Sequence, residues 1–155
     1  MSGKLSLVAT PIGNLEDITL RALRVLREAS CVLAEDTRHT RGLLHHHGIT
    51  TRLASLHAHT EQARIEALAD ELAAGAHLAL VTDAGTPLVS DPGGELVRAA
   101  IERGVKVEAI PGASAVIGAL CVAGLPAEHF RFVGFLPRAG KRRREALQAI
   151  AEDRL

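Results

Sequence analysis

The sequence predicts an α/β fold, a doubly wound and mostly parallel five-stranded sheet with helices on both faces. Three observations carry that expectation. Short apolar runs alternate with helical patterns of about a dozen residues, the spacing of crossovers between parallel strands. The runs end in turns rich in Gly and Pro. At 155 residues the chain can bury one sizeable core, and with three Phe and no Trp or Tyr that core must be built from Ala, Leu and Val.

The first strand is Leu5–Ala9, ended by the turn Thr10-Pro11-Ile12-Gly13-Asn14. Asp17 is placed to cap a helix over Ile18–Ala29, with Thr19, Ala22, Leu23 and Leu26 on one face and Arg21, Arg24 and Glu28 on the other. Cys31–Ala34 is a short second strand, Thr40–His47 a second helix stopped by Gly48, and Arg52–Leu56 a third strand. Thr60 is the expected cap of the next helix, in which Ile65, Leu68, Ala69 and Leu72 repeat at helical spacing until Gly75. Leu78–Val81 is the fourth strand. Asp91 then reads as an N-cap with Pro92 at the first helical position, where a missing N–H costs nothing. Leu96, Val97, Ala100 and Ile101 are the expected buried face of that helix, and Gly104 its stop.

Val105–Ile110 is the fifth strand. The segment Ala113–Gly124 has no polar face, so its helix is expected to lie buried between the sheet and another layer. Phe130–Phe135 has the look of a sixth strand, Leu136–Gly140 of a linker, and Arg142–Glu152 of a new helix. The expected division is a domain over 1–136, then at 137–155 a linker and the start of a second domain. The chain thus reads as the first half of a longer protein.

Lys plus Arg balance Asp plus Glu at 18 each, so there is no global polyanion signature. The scarcity of aromatic residues argues against base stacking as a means of recognition. A local basic cluster, Arg138, Lys141, Arg142, Arg143 and Arg144, is either a solvated linker or a neutraliser of nucleic-acid phosphates. Cys31 and Cys121 sit in apolar surroundings, suit packing roles, and indicate a reducing compartment. The chain shows neither a signal peptide nor a run of ~18 apolar residues, so a cytoplasmic protein away from membranes is expected. His45, His46 and His47 are consecutive, and successive helix residues point about 100° apart. They cannot converge on one ion, and no metal site is expected.

Chemistry is expected where strands end. Three loops fall on one edge of a parallel sheet: Thr10–Asn14, Asp83–Asp91 and Pro111–Ser114. Each pairs Gly with Pro. Either these residues only shape tight turns, or the loops form a binding site, and their convergence favours the site. Neither G-x-x-x-x-G-K-[ST] nor G-x-G-x-x-G occurs, and the loops carry no Lys to offset a triphosphate. Asp83 and Asp91 would repel phosphate and suit a cationic or hydroxyl-rich ligand, such as an adenosine carrying a sulfonium.

Four segments in order, Thr10-Pro11-Ile12-Gly13-Asn14-Leu15, Ala34-Glu35-Asp36-Thr37-Arg38-His39-Thr40, Asp83-Ala84-Gly85-Thr86-Pro87 and Pro111-Gly112, resemble the bacterial 16S ribosomal RNA cytidine 2′-O-methyltransferases of the tetrapyrrole methylase superfamily. The resemblance runs through essentially the whole chain. It implies a two-domain homodimeric enzyme that takes S-adenosyl-L-methionine between its domains and acts on 16S rRNA in the small ribosomal subunit. This chain resembles the N-terminal domain, which alone is expected to be inactive. Alternatives from other classes are a methylase of a tetrapyrrole ring and a non-catalytic RNA- or nucleotide-binding fragment.

The resemblance also implies residue roles. Asp83, Ala84, Gly85, Thr86, Leu88 and Val89 match the cofactor loop, with Gly85-Thr86-Pro87 standing where relatives carry a Gly-Asp-Pro type motif. Asp91 would lie beside the methionine or sulfonium part of the cofactor. Ser114 and Ala115 would contact it from the other side, Ala115 replacing a common Ser or Thr. Pro11 and Gly13 would line the cleft floor near the methyl group, with Asn14 facing substrate or simply serving as a turn residue tolerant of positive φ. Glu35, Asp36 and His59 are candidate bases for the ribose 2′-OH, while Arg38 would hold a phosphate. Asp36 or Thr37 capping a helix is the competing explanation. His57, Arg142 and Arg143 are candidate RNA contacts, His57 and His59 being equally readable as exposed loop histidines.

Overall fold

A computed structural model describes residues 3–153. The chain divides into two units, Met1–Ala115 and Val116–Leu155. The first contains β1 (Lys4–Val8), β2 (Cys31–Ala34), β3 (Leu53–Ser55), β4 (His77–Val81) and β5 (Lys106–Ile110). Between them run α1 (Leu20–Glu28), α2 (Thr37–His46), α3 (Gln62–Ala73) and α4 (Gly94–Glu102). Every pairing is parallel and the strand order is β3-β2-β4-β1-β5.

Side-chain alternation along the strands divides the core into two layers. Leu5, Leu33, Leu78 and Leu80 pack with Leu68 and Leu72 of α3 and Leu96 of α4. Val8, Val32, Ala79 and Val81 pack on the opposite face with Val25 and Leu26 of α1 and Leu44 of α2. The strands are therefore apolar in both directions, as a sheet covered on both faces requires. Crossovers that run towards the β3 edge cover one face, and those that run towards β5 cover the other. The chain leaves the neighbouring strands β1 and β4 in opposite directions. Their C-terminal ends flank a switch point, the position where open α/β sheets hold ligands.

Several helix starts differ from the sequence expectation, each for a local reason. A 3-10 turn over Leu15–Asp17 occupies Asp17, and Thr19 caps α1 instead, its Oγ1 accepting from the Ala22 N–H at 3.0 Å. α2 begins three residues before Thr40, because Asp36 Oδ1 accepts from the Arg38 N–H at 2.8 Å. Thr60 does not cap α3. Its hydroxyl accepts from the His57 N–H at 2.9 Å, and the helix starts after Glu61 without a side-chain cap. α4 starts after Gly93, at φ 116°, rather than at Asp91 and Pro92. Its buried stripe is Leu96, Ala99 and Ala100, which leaves Ile101 60% exposed, five residues beyond Leu96 and off the stripe.

The second unit holds most of α5 (Ala115–Val122) and α6 (Gly140–Glu152). No residue of α5 is buried, so the sandwiched helix expected there is uncovered in this chain. Phe130–Phe135 forms no strand. Its β-favouring residues make a strand only where a neighbour completes the ladder. Within the unit Arg131 forms an ion pair with Asp153. Among the described residues no helix is long and apolar enough to cross a membrane.

Candidate active site

The loops after β1, β4 and β5 do converge. Thr10 and Gly85 form a two-bond antiparallel bridge, N–H to carbonyl in both directions at 2.9 and 3.1 Å. The buried Thr10 hydroxyl donates to the Thr82 carbonyl at 3.0 Å. Thr82 in turn donates its own hydroxyl to Asp91 Oδ2 at 2.7 Å, which fixes that carboxylate at the root of the loop. A Cβ placed on Gly85, at φ 85°, would lie 3.6 Å from Ile12 Cγ2 and 3.9 Å from the Ala113 carbonyl, so all three loops meet at this glycine. Gly112 packs against Ala9, where an added Cβ would lie 3.0 Å from the Ala9 methyl. Leu88 and Ser90 hold positive φ, 72° and 69°, in the same loop. Non-glycine residues in that region cost of order 1–3 kcal/mol and collect at functional sites.

The loop after β2 joins this group through the Asp36 N–H, which donates to Asp83 Oδ1 at 3.4 Å. Beside it opens a cleft of about 580 Å³. The β1 loop contributes Thr10, Pro11 and Leu15, and the β4 loop contributes Asp83. The rest comes from α2, through Arg38, His39, Gly42, Leu43, His45 and His46. Cations and hydroxyl groups suit the Asp83 end, whereas the α2 side offers guanidinium and imidazole donors.

Asp36 and Arg38 form a closed unit. Arg38 donates from Nε to Oδ1 at 3.3 Å and from Nη2 to Oδ2 at 3.1 Å, in addition to the helix-capping bond. These bonds hold the Asp36 carboxyl down at about 2 and push the guanidinium up. A carboxylate so engaged is a weak proton acceptor at neutral pH. Asp36 thus caps α2 and orients Arg38, as the competing explanation expects.

The other expected residues scatter more widely. Glu35 is exposed at the end of β2. Asn14 has φ −128° and its side chain accepts from the Glu16 N–H, so the positive φ falls on Gly13, at 148°. His57 lines a separate recess of about 210 Å³ with Pro92, Gly93 and Arg98, and the exposed His59 donates its N–H to His57 Nδ1 at 3.3 Å. Ala84 and Thr86 are exposed, Val89 is half-exposed, and Ser114 is half-buried. Ala115 opens α5, while Arg142 and Arg143 lie in the first turn of α6, within the helix expected over Arg142–Glu152. Thr82 and Gly42 belong to the site although no sequence motif marks them, and His39 joins them from within the Ala34–Thr40 segment, where no role of its own is expected. Arg38, Gly42 and His45 stand at i, i+4 and i+7, a spacing visible once α2 is known to begin at Thr37.

A doubly wound parallel sheet with small-residue loops and carboxylates at its switch point is the architecture of an α/β ligand-binding domain. The chain belongs to the Tetrapyrrole (Corrin/Porphyrin) Methylases, whose family model matches residues 4–155. It is similar to the ribosomal RNA small subunit methyltransferase I of Halalkalibacterium halodurans, at 55% identity over 146 residues, covering 94% of this chain and 50% of that protein. The protein of that name from Escherichia coli O157:H7 is 54% identical over 148 residues, covering 96% and 52%. Among solved structures, uroporphyrin-III-C-methyltransferase from Thermus thermophilus matches with a TM-score of 0.61 at 35% identity, over 83% of this chain and 56% of that one. A diphthine synthase shares the fold at a TM-score of 0.62 and 23% identity. The chain spans about half the length of the curated relatives it matches.

Proposed function

We propose that the protein carrying this chain methylates the 2′-oxygen of a cytidine ribose in small-subunit (16S) ribosomal RNA, with S-adenosyl-L-methionine as donor. The observation that carries the reading is the cleft beside the switch point, where Asp83 faces an arginine- and histidine-bearing helix. Half-identity to relatives named ribosomal RNA small subunit methyltransferase I supports the choice of RNA over a tetrapyrrole.

The loops fit the cofactor. Gly85 and Gly112 let the strand-end loops pack closely together, and Asp91, held by Thr82, supplies a carboxylate for a cation. Pro11, Gly13, Asp83 to Thr86, Leu88, Val89, Asp91, Ser114 and Ala115 would hold the cofactor, which supplies a methyl carbon activated by positive sulfur. The chain's task is then to position the substrate oxygen and remove its proton. Arg38, oriented by Asp36, would bind a phosphate of the substrate strand. With Asp36 engaged, Glu35 and His59 remain from the expected bases, and Asp83 and His39 line the cleft itself. Arg142 and Arg143 stand in the first turn of α6, where cations oppose the helix dipole at a cost of about 0.3–1 kcal/mol each. RNA phosphates would offset that repulsion.

The shared half-length with relatives supports a following second domain that completes the cofactor site, and the uncovered α5 suits burial by that domain or in a homodimer. A cytoplasmic location follows from a ribosomal substrate. The test is methyl transfer from labelled S-adenosyl-L-methionine to small ribosomal subunits by the complete protein. Label at a cytidine 2′-oxygen is expected. Label in a porphyrinoid and none in RNA would overturn the proposal.

A further inference from the structure

The α2 side of the cleft contains a feature that the fold does not need. Gly42 sits mid-helix, exposed, and a Cβ built on it meets nothing within 4 Å. Helix interiors disfavour glycine, and no packing contact here excludes alanine. Gly42 also lines the cleft, flanked on the same helix face by Arg38 and His45 and by His39 and His46. All four flanking residues are exposed, whereas Thr40, Leu43 and Leu44 are buried.

We infer that this face of α2 is the bed for the RNA strand next to the target ribose. Gly42 lets the sugar–phosphate backbone come within van der Waals distance of the helix, and the guanidinium and imidazole N–H groups on either side donate to phosphate oxygens. Asp36 takes only part of the Arg38 fork: Nε and Nη2 are engaged, and the guanidinium carries five N–H donors in all. At the other end Asp83 accepts from hydroxyl groups of the sugar and repels phosphate. The polarity along the cleft, carboxylate at the strand ends and donors along the helix, matches one nucleotide laid sugar-inward. This inference rests on the RNA reading proposed above and adds a substrate-binding role for Gly42, His39, His45 and His46.

The experiment compares the complete protein with its Gly42→Ala, Gly42→Leu and His45→Glu variants. Affinity for a 16S rRNA fragment is measured by filter binding, and affinity for S-adenosyl-L-methionine by calorimetry. Circular dichroism and thermal melts verify folding. Gly42→Ala should melt no lower than wild type, bind cofactor unchanged, and bind RNA roughly tenfold more weakly, because the added methyl group holds the strand away from the helix. Gly42→Leu should weaken RNA binding further, and His45→Glu should weaken it most at low salt. Folded variants with wild-type RNA affinity would overturn the inference while leaving the RNA reading intact. Loss of cofactor affinity in Gly42→Ala would also overturn it, by assigning the face to the cofactor. A wild-type protein that binds no RNA would overturn both.

Discussion

Adding one methyl group to two glycines of this chain should change stability in opposite directions. At Gly93, the N-cap of α4, φ is 116° and an added Cβ would lie 2.6 Å from Leu80 Cδ2 and 3.2 Å from Leu88 Cδ2. Leu80 is 2% exposed, in the centre of the layer covered by α3 and α4, so it has nowhere to move. The backbone region costs an L-residue about 1–3 kcal/mol, and overpacking a core costs roughly another 1–3 kcal/mol. Gly93→Ala should therefore destabilise the fold by roughly 2–6 kcal/mol, the sum of those two ranges. At Gly42 neither cost exists, and replacing a mid-helix glycine by alanine should stabilise by about 0.8–1 kcal/mol. Urea denaturation followed by circular dichroism, with midpoint and slope compared to wild type, measures both. Two shifts of the same sign would refute the reasoning. So would a Gly93→Ala loss below ~1 kcal/mol, which is less than the backbone cost alone.

Further outcomes follow from single groups. Thr82→Val keeps the buried shape but removes the 2.7 Å donation to Asp91; it should cost roughly 1.5–3 kcal/mol and weaken S-adenosyl-L-methionine binding by calorimetry more than RNA binding. Asp36 titrates lower when folded, so its contribution is complete above about pH 4 and is lost as the pH falls towards about 2. The stability gap between wild type and Asp36→Ala should close over that window in acid titrations. His77 is pushed down, first by burial and then by Lys4, and its Nε2 lies 3.0 Å from Ser6 Oγ. As pH falls through about 6.5 the unfolded chain takes the proton first. Stability should drop there, and His77→Gln should remove that part of the drop in urea midpoints.

The sheet was legible because its signal is redundant. Each strand is an apolar run facing core on both sides, and a shift of one or two residues at its ends, as at Leu53–Ser55, leaves the pattern intact. Loop positions were legible for the same reason, since parallel strands deliver their ends to one edge. Helix starts were less so. Asp17 and Thr19, or Asp91 and Gly93, are both acceptable caps by residue type, and the choice rests on bonds outside the helix. Thr82 claims Asp91 from nine residues away in sequence, and no local rule reveals that bond. Phe130–Phe135 shows the same limit, since a β-rich stretch carries no record of whether a neighbour exists to pair with it.

The cost of a misplaced start is greatest on α2. A helix taken to begin at Thr40 leaves Arg38 and His39 in a loop, and its histidines look like a solvated end. Starting the helix at Thr37, as the Asp36 cap dictates, adds one turn's worth of register. Arg38 then aligns with His45, seven residues on, and His39 with His46, since seven residues return a helix to within ~20° of the same face. Gly42 falls between the two pairs, on the face that lines the cleft. A single capping bond thus separates a string of surface residues from a continuous donor-lined groove. The substrate-binding role of α2 therefore depends on Asp36 as its positioning residue: Asp36→Ala should weaken RNA binding even though Asp36 itself does not line the cleft.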